Sequence, residues 1–333
     1  MRAILRGLAV VTALAGLVAC GGAPRADEQT IGGPQAQPRS PVTGTPAVRS
    51  GWTSCEVDAP MELSVPPSDA LILPRLGTGF AATVAVHCQL GPKRRADGGQ
   101  DLVLTEGRAT DLTALLAALR LPDEQPTNGA CTLEMPWVPN LLLFDAQGRW
   151  IRPGIPVNGC GKPRPEVQEA VRGLRLTTVT EKVVREIESS GAALSGCGQE
   201  LSDMVATETG DSASGARPGR VALPFSATAQ LRLCVFRVPA EQRGTAKPVG
   251  TFEYGLLLPE QRRRTVERAL AALPPAKECS GAADRFAMLR AADGTGGEIY
   301  VELDHCRRVM TRPLSGPPVL AQADDALVEL LGR

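Results

Sequence analysis

The sequence predicts an α+β protein of two tandem repeats, each an antiparallel sheet with helices on one face, stapled by disulfides. Three observations predict it. Eight cysteines follow Cys20, namely Cys55, Cys88, Cys131 and Cys160, then Cys197, Cys234, Cys279 and Cys306. Pairing the first four with the last four in order gives offsets of 142, 146, 148 and 146, a regularity that marks a duplication at domain scale. Amphipathic stretches recur near the same offset, each stopped by proline. Each half also carries an apolar run that ends in an Asp…Gly turn of the kind that closes a hairpin.

The chain begins with residues 1–19, read as a signal peptide. Arg2 and Arg6 precede an uncharged, mainly apolar stretch from Gly7 to Gly16, well short of the roughly 20 apolar residues a spanning helix needs. It ends Leu17-Val18-Ala19-Cys20, which resembles the lipobox of bacterial lipoproteins, and the richness in Ala and in Arg over Lys resembles high-GC, Gram-positive-type bacteria. The resemblance implies a lipid on Cys20, cleavage just before it, and anchorage to the outer face of the cytoplasmic membrane without a spanning helix. Residues 20–51, rich in Gly, Pro, Ser, Thr and Gln, read as a disordered tether.

The first repeat is expected over 52–180 and the second over 190–333, with a boundary between Thr178 and Ser195. In the first, Ala85 to Cys88 reads as a strand, Leu112 to Leu121 as a helix stopped by Pro122, Leu141 to Phe144 as a strand entering the turn Asp145–Gly148, and Pro165 to Leu174 as a second helix. Their counterparts are Leu231 to Cys234, Val266 to Leu273 before Pro274, Phe286 to Leu289 before Asp293-Gly294, and a helical stretch from Leu320 to Leu331. Thr207 to Arg220 reads as a loop. Four cysteines per repeat allow three pairings each. Cys131 lies 14 residues before Asp145 and Cys160 12 after Gly148; Cys279 and Cys306 flank their turn at the same distances. Equal arms bring both cysteines to the open end of a hairpin, which predicts Cys131–Cys160 and Cys279–Cys306 and leaves Cys55–Cys88 and Cys197–Cys234. In the chain-entropy account such loops contribute about 3–4 kcal/mol each.

Composition narrows function. The 36 basic and 36 acidic residues cancel, which argues against nucleic acid as a partner. Two histidines among 333 residues argue against a metal site or a histidine-based catalytic array, and no cofactor motif is visible. His87 and His305 occupy different places in the repeat and read as strand residues of ordinary solvation. Gly210-Asp211-Ser212 is similar to the serine segment of GDSL-type hydrolases, which also carry a C-terminal Asp-x-x-His, whereas here Asp304 and His305 are adjacent. Glu298 and Glu302, and Asp324 and Asp325, read as solvated faces; Lys93–Arg95 and Arg262–Arg264 read as exposed solubilising charge. The expectation is a non-catalytic module at the cell surface that binds an envelope protein or ligand, with an envelope hydrolase as an alternative.

A second resemblance supplies a further alternative. From Thr83 to Gly161 the chain resembles the secreted bacterial subtilisin-inhibitor family: a strand ending at Cys88, a helix opening Asp111-Leu112 with Leu115, Cys131 opening a proline-containing loop, a turn with Gly148 then Trp150, and a closing Cys160. The resemblance implies that the loop after Cys131 enters a serine protease like a substrate, with Leu133 in the main specificity pocket and Glu134 beyond the mimicked scissile bond. The chain departs from the family in the distant position of Cys55, and the second repeat offers only Cys279-Ser280-Gly281.

Overall fold

The computed structural model describes residues 43–61, 68–210 and 215–332; Cys20, the signal peptide, most of the tether and Asp211–Ser214 lie outside them. The fold is α+β, with two largely antiparallel sheets.

In the first half, α1 (Cys55–Asp58) is capped by the Ser54 hydroxyl, which accepts from Val57 N. β1 (Val84–Arg94) and β2 (Gln100–Ala109) form a long hairpin, followed by α2 (Thr113–Leu119), β3 (Asn140–Phe144), β4 (Trp150–Ile151), α3 (Pro165–Arg172) and β5 (Thr177–Glu188). The sheet order is β4-β3-β1-β2-β5. In the second half come α4 (Ser190–Ser195), β6 (Glu200–Ser202), α5 (Met204–Gly210), β7 (Arg217–Pro218), β8 (Leu231–Arg237), β9 (Val249–Leu257), α6 (Glu260–Ala272), β10 (Arg285–Ala291), β11 (Glu298–Glu302), β12 (Arg308–Arg312), β13 (Val319–Gln322) and α7 (Asp325–Gly332). That sheet runs β6-β9-β8-β10-β11-β12-β13-β7.

The duplication is visible in the topology. The segment β4-β3-β1-β2 has the order of β11-β10-β8-β9, and in both the chain runs strand, strand, helix, strand, strand. Cys88 faces Asn140 across β1 and β3; Cys234 faces Met288 across β8 and β10. The turns at Gly148 and Gly294 take positive φ, 75° and 76°, which glycine adopts without steric cost. All four expected disulfides form: Cys55–Cys88, Cys131–Cys160, Cys197–Cys234 and Cys279–Cys306.

Strand alternation divides each sheet into two faces. In the first, Ala85, Leu141, Leu143 and Ile151 pack on Leu115 and Leu119 of α2 and Val167 and Val171 of α3. The opposite face places Val86, Cys88, Leu142, Phe144 and Trp150 under Trp52, Cys55 and Ala59. In the second, Leu231, Leu233, Leu289 and Val301 pack on α6 and α7, and Cys234, Phe236, Phe286 and Met288 lie with Cys197 and Val205 on the other side. Each fully buried Leu or Val side chain contributes about 1.5–3 kcal/mol. Gly255 lies beneath the Cys197–Cys234 disulfide, where a Cβ would run into Cys197 Sγ.

The structure corrects several boundaries. Thr177–Glu188, expected to be partly linker, is the 12-residue edge strand β5 on β2. The run of β-branched residues favours a strand, but its side chains are nearly all exposed, so no buried face imprinted an alternation. The stretch from Leu320 begins as strand β13 before α7 starts at Asp325. Thr207–Gly210 belongs to helix α5 rather than a loop, and Arg217–Pro218 forms the short strand β7.

Candidate functional site

The loop from Cys131 to Pro139 runs from the Cys131–Cys160 disulfide to strand β3. Its far end is fixed, because Val138 is buried in the helix-side core. Its near end is fixed by the Cys131–Cys160 bond, across a Cα separation of 5.8 Å. Between them Leu133 is fully exposed (103% of its reference area) and Met135 72%, while Trp137, 46% exposed, turns its ring toward His87. Large apolar side chains left this exposed on one short loop are the feature a contact surface would use.

The base beneath the loop is laced by hydrogen bonds. Cys160 N and Lys162 N both donate to Asn158 Oδ1, and Asn158 N donates to the Lys162 carbonyl. Thr127 N donates to the Gly159 carbonyl, and Gly159 N donates to Glu124 Oε2. From this base Lys162 Nζ donates to Thr132 Oγ1 at 2.6 Å and to Glu134 Oε1 at 3.2 Å. Thr132 Oγ1 also donates to Glu134 Oε1 at 3.2 Å. The Lys162 hydrogen bond, followed by that of Thr132, holds the Glu134 carboxyl below its usual pKa. The residues on either side of Leu133 are thus tied together and to the scaffold.

The corresponding place in the second repeat is built differently. Gly281, two residues past Cys279 as Leu133 is past Cys131, presents no side chain. Its carbonyl accepts from Arg308 Nη2 at 2.6 Å. Arg308 is buried and bound twice to Glu302, through Nε at 2.9 Å and Nη2 at 2.6 Å, and Nη1 donates to Thr209 Oγ1. Glu302 is therefore not part of a solvated face but fully buried. Asp203 lies buried nearby; burial, with the charge of Glu302, raises its pKa to about 6.

The other residues singled out from sequence do not converge on Leu133 and Glu134. His87 is not ordinarily solvated: it is 3% exposed, burial lowers its pKa to about 4, and its ring meets Trp137 edge-on. It lines a cavity of about 420 Å³ with Met61, Leu90, Trp137 and Asn140, among others, and no carboxylate belongs to that lining. His305 lies not on a strand but in a turn at φ 49°, with Nε2 3.6 Å from Asp284 Oδ2. Asp324 is a helix cap, its Oδ1 accepting from Leu327 N; Asp325 pairs with Arg307. The basic clusters are engaged rather than free: Lys93 with Glu181, Arg95 with Asp97, Asp101 and Glu186, Arg263 with Glu267 and Arg264 with Glu260. Among the described residues no cluster of three or more His, Cys, Asp or Glu side chains could hold a metal, and no helix is long and apolar enough to cross a membrane.

Lys162 and Arg308 were not singled out from sequence. One signal was present: both are cations two residues past the last cysteine of their repeat, separated by the same 146 residues as Cys160 and Cys306. The chain matches no protein-family model, no curated protein and no solved structure.

Proposed function

We propose that the chain is a non-catalytic binding module of the cell envelope, held at the outer face of the membrane by a lipid on Cys20, and that its binding element is the Cys131–Cys160 loop. In this reading the loop enters the cleft of a serine protease as a substrate would and blocks it. Leu133 fills an apolar primary pocket, and Glu134 lies on the leaving-group side of the bond. The observation that carries the reading is the full exposure of Leu133 in a loop pinned at both ends. A pinned loop loses little conformational freedom on binding, so more of the contact energy appears as affinity. The resemblance of Thr83–Gly161 to the subtilisin-inhibitor family supports the same partner class.

The test is inhibition of subtilisin by the full chain. The reading predicts inhibition well below micromolar concentration, weakened about 100-fold or more by Leu133→Gly, the loss expected when a central apolar anchor is removed. No inhibition at micromolar protein would remove the protease reading. Anchorage is tested separately: Cys20→Ala should shift the protein from membranes to the soluble fraction, and continued membrane association would contradict the lipid anchor.

A further inference from the structure

We propose that Lys162 is the positioning residue of the loop, clamping the two residues that flank Leu133 so that the Leu133–Glu134 bond resists hydrolysis. The proposal rests on the inhibitor reading above and adds a device to it.

The geometry places one ammonium group across the bond in question. Lys162 Nζ reaches Thr132 on the acyl side of Leu133 and Glu134 on the amine side, and Thr132 and Glu134 are bonded to each other. The Lys162 backbone is itself fixed through Asn158, and its side chain is only 17% exposed. Attack by a protease serine would join its oxygen to the Leu133 carbonyl carbon. The bond to the Glu134 nitrogen would break, and the proton released by the serine would pass to that amine. In an ordinary substrate the amine then departs and water takes its place. Here Glu134 would stay tethered through Lys162, so the amine would remain beside the ester. It can attack the carbonyl, re-form the peptide bond and return the proton to the serine oxygen. The clamp favours resynthesis over hydrolysis by keeping the amine at high effective concentration.

The second repeat carries a related but different contact. Its cation at the same position, Arg308, also reaches back to the loop, at Gly281, the position equivalent to Leu133. In both repeats a cation two residues past the last cysteine thus reaches the loop. In the second repeat it is internalised with Glu302, and the loop carries no anchor side chain. Under the inhibitor reading, only the loop of the first repeat presents an anchor side chain.

The experiment incubates the full chain with subtilisin and follows scission between Leu133 and Glu134 by mass spectrometry. Lys162→Met is expected to be cut at least tenfold faster than the wild type, with inhibition decaying as the cut chain accumulates. Lys162→Arg, which keeps a donor in reach of both partners, should restore much of the resistance. Adding Thr132→Val and Glu134→Gln to Lys162→Met should accelerate scission little further, because the clamp is already open. An unchanged unfolding transition in Lys162→Met excludes general destabilisation as the cause. Equal cleavage rates in the wild type and a folded Lys162→Met would overturn the clamp. Absence of inhibition by the wild type would overturn the inhibitor reading instead, while the ratio of cleavage rates would still decide whether Lys162 protects the bond.

Discussion

His87 and Asp203 are buried titratable groups, one in each half, and they pull the pH dependence of stability in opposite directions. Burial lowers the His87 pKa from 6.5 to about 4. The unfolded chain therefore binds a proton there that the folded chain refuses, and stability present above pH 6.5 is lost as pH falls toward 4, by up to about 1.4 kcal/mol per pH unit. Burial raises Asp203 from 3.8 to about 6. The folded chain binds the extra proton, so this contribution is full below pH 3.8 and is lost as pH rises to 6. In urea unfolding from pH 4 to 7, His87→Leu removes the rise with pH and leaves the Asp203 decline unopposed, so its stability should fall relative to the wild type as pH rises. Asp203→Asn keeps the Oδ1 that accepts from Val205 N and Ala206 N and should gain stability at pH 7 but not at pH 4. Glu302 is a different case, since its partner Arg308 is buried with it. Glu302→Ala leaves an uncompensated guanidinium and should cost about 3–5 kcal/mol, measured by the same unfolding. None of these three environments was legible in sequence: charge and residue type do not reveal which polar side chains the fold encloses.

At the scale of elements, periodicity carried as far as burial allowed. Helices α2, α3 and α6 were legible because one face of each is apolar and proline marks an end. The hairpin turns were legible because Asp145 and Asp293 and the following glycines have turn chemistry. β5 was missed because neither of its faces is buried, and Leu320–Gln322 was merged into α7 because a short strand beside a helix shares its apolar content. The disulfide pairs were legible because hairpin arms of equal length bring their ends together. The structure adds a difference between them: Cys55, Cys88, Cys197 and Cys234 are buried, whereas Cys131 and Cys279 are exposed. Thiol attack requires access. Graded dithiothreitol with alkylation and mass spectrometry should therefore open Cys131–Cys160 and Cys279–Cys306 first; reduction of Cys55–Cys88 ahead of both would contradict this ranking. Opening Cys131–Cys160 should also abolish inhibition before the fold is lost, because it frees one end of the loop while both core clusters remain.

For the whole molecule, the duplication produced two similar frames with unequal surfaces. The shared sheet order and the paired cysteines preserve the frame. The surfaces diverge at one loop position: Leu133 projects into solvent, while Gly281 is held by a buried arginine. Leu133 could be proposed from sequence only by its resemblance to a known pattern; its exposure and its bracing by Lys162 needed the three-dimensional arrangement. The most direct test of this account is the stoichiometry of a titration of active subtilisin with the full chain. The account predicts complete inhibition at one chain per protease, lost in Leu133→Gly and retained when Ser280 is changed to alanine. Inhibition of two proteases per chain, inhibition that survives Leu133→Gly, or no inhibition at all would contradict it.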